Sequence, residues 1–287
     1  MALPLFVDSK TSLYGLFGNP VAHSLSPVMQ QAAFMERGFN AVYLAFAIQK
    51  EKLKEAVEAI RALSIQGVNV TIPYKVEVIP FLDEVEEEAS IIGAVNTIKN
   101  EGGRLRGYNT DGKGFIRSLE EEFHPDWSSM NGTILGAGGA VRSVAVALAR
   151  KGVKRITIVN RNREKAEELA RLISAWTSVQ VEGWERLSST LKGSNLLING
   201  TPIGMHPHVE ETPVAQEALH QDLIVSELVY TPLYTRLLRE AKEKGAKIHP
   251  GLMMFVYQGA IAFEIWTGKT APVNLMEQVV RERLSAL

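Results

Sequence analysis

The sequence predicts an α/β protein of two domains, the first built on a mostly parallel sheet. Three observations carry that prediction. Short apolar or β-branched runs alternate with amphipathic helical stretches, the pattern of a sheet covered by helices. The 287 residues exceed one average domain, so two domains of about 120 to 170 residues are expected. Near the middle, a strand-like run meets a glycine-rich turn that opens a helix, and a second unit begins there.

Taking the elements in order, LYGLFGNP from Leu13 suits a buried strand ended by Gly18, Asn19 and Pro20. A helix is expected from about Pro27 to Arg37, with Ser26 placed to cap it and Pro27 at its first position. VYLAFAI reads as the next strand. EKLKEAVEAIRAL reads as an amphipathic helix with Leu53, Val57, Ile60 and Leu63 on one face. In NVTIPYK, Pro73 fixes its own φ and pushes Ile72 toward extended geometry, so Lys75 is expected at a strand end with little backbone slack. A solvated lysine opening a helix at KVEVIPFL is the competing reading.

The second unit begins near Gly132, where TILGAGGAVRSVAVALARKG joins a strand, a turn and a helix closed by Gly152. RITIVN, NLLING and LIVSELVY read as strands, NREKAEELARLI and TRLLREAKEKG as helices. The apolar run from Leu252 to Trp266 is too short to span a bilayer and contains Gln258 and Glu264, so it reads as a buried helix. The NTDGKG stretch around Asp111 marks the boundary between the units.

Composition removes several function classes. With 46% hydrophobic and 22% charged residues, the chain fits an ordinary globular protein rather than a disordered one. Lysine and arginine number 31 against 32 acidic residues, so no global field attracts nucleic acid or an anionic membrane, and any anion must be bound locally. The absence of cysteine excludes disulfides, thiolate catalysis and Cys-ligated zinc, and fits a reducing cytoplasm. MALPLFVDSK has no basic n-region and meets Asp8 too soon for a signal-peptide core, so export is not expected. The histidines lack ligand spacing, and a proline splits His206 from His208, so no metal is expected.

GAGGAV, from Gly136 to Val141, has the context of a dinucleotide fingerprint. Glycines there permit a tight turn and let a pyrophosphate approach backbone N–H groups at a helix N-terminus. Val141 occupies the third glycine position of GxGxxG, and a plain strand-to-helix turn remains the alternative. At the end of the next strand, where NAD-specific domains place an acidic residue, the chain reads Asn160-Arg161-Asn162-Arg163. Guanidinium groups suit a 2′-phosphate and favour NADP over NAD, with a solvated loop as the alternative.

HSLSP with Ser24 and Ser26, AVNT with Asn96, and YNTDG with Asn109 and Asp111 each put small polar groups at a strand end or turn, as NVTIPYK does. Such groups suit a ligand with several hydroxyls. Individually, each is equally a helix cap or a turn residue.

Together, GNPVAHSLSP, NVTIPYK, GAVNT, NTDGKGF, GAGGAVRS, NRNREKA, INGTPIGM and GLMMFVYQ occur in the order and approximate spacing of the shikimate dehydrogenases. The chain resembles that family from about Tyr14 to its C-terminal helices. The resemblance implies an α/β substrate domain at residues 1–110, a Rossmann-like NADP-binding domain at 111–250, a cleft between them, and helices at 251–287 packing back on the first. It implies reversible NADPH-dependent reduction of 3-dehydroshikimate to shikimate, in the cytoplasmic pathway to chorismate and the aromatic amino acids. A monomer or homodimer binding small molecules, with no nucleic-acid or membrane partner, goes with that reading.

Motif by motif, the resemblance implies Lys75 as the catalytic lysine and Asp111 as its paired carboxylate. It implies substrate contacts from Ser24, Ser26, Asn69, Thr71, Asn96 and Gln258, with Tyr230 in VYTPL a further candidate. Gly136, Ala137, Gly138, Gly139 and Ala140 match the pyrophosphate loop. Asn160, Arg161, Asn162 and Lys165 match the segment that reads the 2′-phosphate, and Glu87, Leu228 and Gly251 match further cofactor contacts. Asn162, Lys165 and Glu227 stand where the family commonly has threonine, arginine and aspartate. For the lysine the chemistry is direct: hydride reaching a ketone carbon leaves negative charge on its oxygen, which an ammonium stabilises and protonates. The rival readings are an NAD-using quinate/shikimate dehydrogenase and a non-catalytic nucleotide-binding regulator on the same fold. The missing acidic residue after RITIV argues against the first, and retention of Lys75 with Asp111 against the second.

Overall fold

Strand β1 (Ser12–Gly18) lies inside a six-stranded sheet, between β2 (Ala41–Ala47) and β3 (Gly67–Val70), both parallel to it, which explains its apolar sequence. The sheet continues through β4 (Glu84–Val85), β5 (Thr97–Glu101) and β6 (Arg104–Tyr108) in the order β2-β1-β3-β5-β6-β4. The β3–β5 and β5–β6 pairs are antiparallel, and the other three pairings are parallel. This is a computed structural model that describes residues 7–286; Met1 to Phe6, on which the export expectation partly falls, and Leu287 lie outside the described residues. The chain divides into two units, one running to Thr110 and resuming at Val256, the other Asp111–Phe255.

Helices α1 (Ser26–Glu36), α2 (Leu53–Ala62) and α3 (Glu87–Ile92) belong to the first unit, and two of them depart from expectation. Ser26 does not cap α1: it is the first helical residue, and its N–H donates to the Ser24 hydroxyl at 3.2 Å. Ser24 therefore satisfies one of the donors that the first turn leaves without a carbonyl. On α2, Leu53, Val57 and Ile60 are buried, but Leu63 is 66% exposed. The helix ends at Ala62, the chain turns through Ser64 at φ 52°, and Ile65 enters the core in its place.

NVTIPYK also differs. Strand β3 stops at Val70, and residues 72–78 form consecutive turns followed by a short 3-10 segment, Ile79–Phe81, instead of a helix. Proline has no N–H to donate and cannot continue a ladder, so the chain leaves the sheet before it. Lys75 is thus carried by a turn rather than by a strand end.

The second unit has a fully parallel sheet of β7 (Asn131–Leu135), β8 (Arg155–Val159), β9 (Ser178–Glu182), β10 (Leu196–Asn199), β11 (Ile224–Glu227) and β12 (Lys247–His249). The order β12-β11-β10-β7-β8-β9 reverses direction between β7 and β10, which in doubly wound sheets is where ligands bind beyond the carboxyl ends of the strands. Its helices are α4 (Asp111–Phe123), α5 (Gly139–Arg150), α6 (Arg163–Ile173), α7 (Leu187–Leu191) and α8 (Arg236–Glu243).

The division between the units falls within α9 (Gly251–Thr267), and α10 (Val273–Ser285) completes the first unit. Inside that unit, Gln30 Nε2 donates to the Gly259 carbonyl at 2.8 Å and Trp266 Nε1 to the Ile98 carbonyl at 2.9 Å. These bonds tie the C-terminal half of α9 to α1 and to β5. The apolar run from Leu252 is thereby accounted for, and no described helix is long and apolar enough to cross a membrane.

Candidate active site

Lys75 is held from both sides by its neighbours in the first unit. Tyr74, 1% exposed, buries its ring in the core beneath the turn and donates its hydroxyl to the Ile48 carbonyl. The carbonyl of Lys75 itself accepts from Val95 N–H at 2.7 Å. With its carbonyl bonded and its neighbour Tyr74 buried, the half-buried lysine has its main chain held in place.

Val95 precedes the residue at the centre of a buried polar network. Asn96 Oδ1 accepts from Thr110 N–H at 2.9 Å and from Thr97 Oγ1 at 3.0 Å, and its Nδ2 donates to Thr110 Oγ1 at 2.9 Å. Asn69, on β3, donates from Nδ2 to Thr97 Oγ1 at 3.0 Å and to the Asn96 carbonyl at 3.2 Å, while its Oδ1 accepts from Tyr43 Oη at 2.8 Å. Burial pushes the Tyr43 phenol well above its ordinary pKa, so it remains an O–H donor to that oxygen. Both amide hydrogens of Asn69 are therefore taken, and only a lone pair on Oδ1 is left for a ligand.

The other substrate-type residues occupy defined places in the same unit. Ser24 is half-buried and Ser26 buried at the start of α1. Thr71 donates its N–H to Phe17 O at 2.9 Å, and its methyl group lies where Gly18 lacks a side chain. Asn109 is buried and donates to the Ala94 carbonyl at 3.0 Å. Gln258 is half-buried on α9, one residue before the Gly259 carbonyl held by Gln30. Glu87 is exposed in the first turn of α3, where a carboxylate complements the helix dipole.

In the second unit Asp111 is buried as the first residue of α4, next in sequence to the networked Thr110. The glycine-rich turn starts at Gly136, whose φ of 104° requires glycine and whose N–H donates to Val159 O at 2.8 Å. Gly138 precedes α5 with no side chain capping the helix, and a Cβ on Gly138 or Gly139 would meet no atom within 4 Å. Ala137 is half-buried in the same turn, and Ala140 is half-buried in the first turn of α5.

The structure explains Val141. A Cβ at Gly200 would overlap the Val141 Cγ2, so the close approach usually granted by a third glycine is granted here by Gly200, at the end of β10. Sequence reasoning missed Gly200; its only signal was a glycine directly after a strand.

At the end of β8, Asn160 Nδ2 donates to the Asn162 carbonyl at 2.7 Å. Asn162 Oδ1 accepts from Lys165 N–H at 3.0 Å and caps α6. Arg163 pairs with Glu167 at 2.8 Å, whereas the exposed Arg161 and Lys165 side chains have no carboxylate partner among the described residues. Beyond β11, Leu228 N–H donates to Asn199 O at 3.0 Å, and Tyr230 stacks on Phe255 with ring centroids 4.7 Å apart. Gly251 is buried as the first residue of α9.

Two buried titratable groups were not assigned roles from sequence. Glu227, at the end of β11, accepts from Asn199 Nδ2 at 3.0 Å and from Thr235 Oγ1 at 2.8 Å, and burial pushes its carboxyl up to about 8 against those hydrogen bonds. His249 Nδ1 lies 2.7 Å from Ser226 Oγ, and burial lowers its pKa to about 4.

Family profiles match three stretches of the chain. One described as the shikimate dehydrogenase substrate binding domain matches residues 16–98, one described as shikimate / quinate 5-dehydrogenase residues 118–225, and one described as the shikimate 5'-dehydrogenase C-terminal domain residues 251–281. The chain is 45% identical over 289 residues to the shikimate dehydrogenase (NADP(+)) of Methanopyrus kandleri, covering 99% of this chain and 100% of that protein. A solved shikimate dehydrogenase in complex with NADP+ superimposes with a TM-score of 0.92 at 44% identity, covering 97% and 98% of the two chains. A quinate dehydrogenase from Corynebacterium glutamicum in complex with NAD gives 0.89 at 31% identity, covering 95% and 99%.

Proposed function

The chain belongs to the shikimate dehydrogenase family, and from that premise we infer that it catalyses the reversible NADP-dependent reduction of 3-dehydroshikimate to shikimate. It is an oxidoreductase acting on a CH–OH group, in the biosynthesis of chorismate and the aromatic amino acids. The observation that carries the reading is the pinned Lys75 turn beside a buried amide network, a placed amine next to groups matched to hydroxyls. In this reading the first unit holds the substrate and the second the nucleotide, which is supported by the substrate-binding profile over residues 16–98 and the glycine turn at Gly136.

The chain's residues fit NADP. The space in front of Gly138 and Gly139 and the uncapped N-terminus of α5 suit a pyrophosphate, with Ala137 in the turn and Ala140 in the first turn of the helix. Arg161 and Lys165 are free to meet a 2′-phosphate, with Asn160 and Asn162 shaping their loop. Glu87, Leu228 and Gly251 are proposed as further contacts on the strength of the family motifs. Bound NADPH would supply the hydride to the ketone carbon.

The protein's own part is positional and electrostatic. Lys75 donates a proton to the oxygen that becomes the hydroxyl and takes it back in the oxidative direction. Asp111 is proposed as its paired carboxylate on the strength of the family motifs. Asn69 accepts from a substrate hydroxyl, because its donors are spent, while Ser24, Ser26, Thr71, Asn96 and Gln258 add polar groups in the same unit, and Tyr230 is a further candidate on the family motifs. A cytoplasmic monomer or homodimer with no nucleic-acid partner is the setting supported by the balanced charge and the lack of cysteine.

The test is a steady-state matrix of shikimate and quinate, each with NADP and NAD, in wild type and Lys75→Ala. A high kcat/KM for shikimate with NADP, lost in the variant by about a hundredfold or more, is the result expected. Equal rates with quinate and NAD would sink the substrate and cofactor assignment together.

A further inference from the structure

Glu227 has the environment of a group kept for a purpose. It is fully buried, yet among the described residues no cation opposes it. Its two oxygens are reached by the Asn199 amide, at 3.0 and 3.2 Å, and by the Thr235 hydroxyl at 2.8 Å. Several charged and titratable groups on the elements around it are engaged elsewhere. On α8, Arg236 pairs with Glu240 and Arg239 with Glu210, on β12 His249 bonds Ser226, and Tyr230 stacks on Phe255.

Both partners of Glu227 hold the carboxyl edge of the sheet. Asn199 also donates to the Ile203 carbonyl at 3.2 Å and accepts from Thr201 N–H at 3.0 Å and Thr201 Oγ1 at 2.7 Å, so one amide fixes the turn that contains Gly200. Gly200 carries Val141 of the glycine-rich loop, and its carbonyl would lie 3.2 Å from a Cβ on Gly136. Thr235 caps α8 through Leu238 N–H and closes the segment that begins with Leu228.

We propose that Glu227 is a positioning residue for nucleotide binding, fixing through Asn199 and Thr235 the Gly200–Ile203 turn and the Leu228–Thr235 segment beside the glycine-rich loop. The inference rests on the reading above that this edge takes NADP. Glu227 does this as a neutral acid, because burial holds its carboxyl up to about 8. Above that pH it carries a buried charge that no cation among the described residues meets, and the two segments must open to solvate it. NADP affinity therefore falls once the pH passes the inflection.

The test is calorimetric titration of NADP binding between about pH 7 and about pH 9.5, with each unit beyond the inflection costing wild type about tenfold in affinity. Glu227→Gln, an amide of the same shape as the neutral acid, is expected to bind as wild type does near neutrality and to lose the fall. Thr235→Val is expected to move the inflection to higher pH, since the hydroxyl donor favours the ionised form. A flat wild-type profile overturns the proposal, as does a Gln profile that superimposes on wild type. If the Gln variant fails to fold, an inflection left unmoved in Thr235→Val overturns it equally. Turnover of shikimate with NADP, followed on the same wild-type sample, separates the two readings. Absent turnover sinks the assigned reaction, whereas turnover with pH-independent NADP binding sinks only the role of Glu227.

Discussion

The main-chain carbonyl of Lys75 accepts a 2.7 Å hydrogen bond from Val95 N–H, so the turn that carries the amine is tied to the segment that carries Asn96. The proposed general acid and the amide network are thus set relative to each other by backbone. On the other side of the turn, Tyr74 holds the chain through its ring and its hydroxyl.

Tyr74→Phe removes only the hydroxyl and leaves the Ile48 carbonyl without its donor. A loss of about 1 to 2 kcal/mol of stability is expected in denaturant unfolding. Turnover should fall because the lysine turn loosens, while NADP affinity should hold. An NADP affinity that dropped with turnover would show that the turn is not acting on the substrate side alone.

Arg161→Ala removes an exposed guanidinium that has no carboxylate partner among the described residues. The variant should bind NADP about tenfold or more weakly, with little change for NAD, since only NADP carries the 2′-phosphate. Binding titrations with the two cofactors decide this, and an equal loss for both would move Arg161 out of the phosphate site.

Gly200→Ala places a Cβ on the Val141 Cγ2. Overpacking of this kind costs about 1 to 3 kcal/mol, and here it should also weaken NADP by displacing the glycine-rich loop. Val141→Ala in the same chain should restore part of both losses. Strict additivity in that double-mutant cycle would mean the two residues do not touch in solution.

His249 sets an acid limit on the second unit. Its pKa is lowered by burial from 6.5 to about 4, so in acid the unfolded chain takes a proton that the folded one refuses. Its contribution is fully present above about pH 6.5 and is lost as pH falls toward about 4, a span of about 3 kcal/mol. In His249→Asn, denaturant unfolding at about pH 7 and about pH 5 should give a smaller difference than in wild type. An unchanged difference would assign the acid sensitivity to other groups.

Much of this was legible in the chain. The alternation of strands and helices, the glycine-rich turn, the arginines in place of an acid after β8 and the family motifs all stand in short contiguous stretches, where local pattern suffices. Leu63 was misplaced because the end of α2 depends on Ile65 finding the core, not on periodicity. The strand reading of NVTIPYK held only to Val70: Pro73 cannot continue the ladder, and Tyr74 finds its partner in Ile48, 26 residues earlier.

The sequence by itself determined the fold class, the family and the residue types at the site. Only the tertiary structure decided how those residues are committed: that Asn69 has spent its donors, that Gly200 does the work of a missing glycine for Val141, and that Glu227 is buried with no cation opposing it among the described residues. Each depends on groups dozens of residues apart, or on a strand order that differs from chain order, so no local pattern encodes it. Hydrogen-bond partners, steric approach and desolvation are properties of that assembled neighbourhood, and the protonation of Glu227 follows from it.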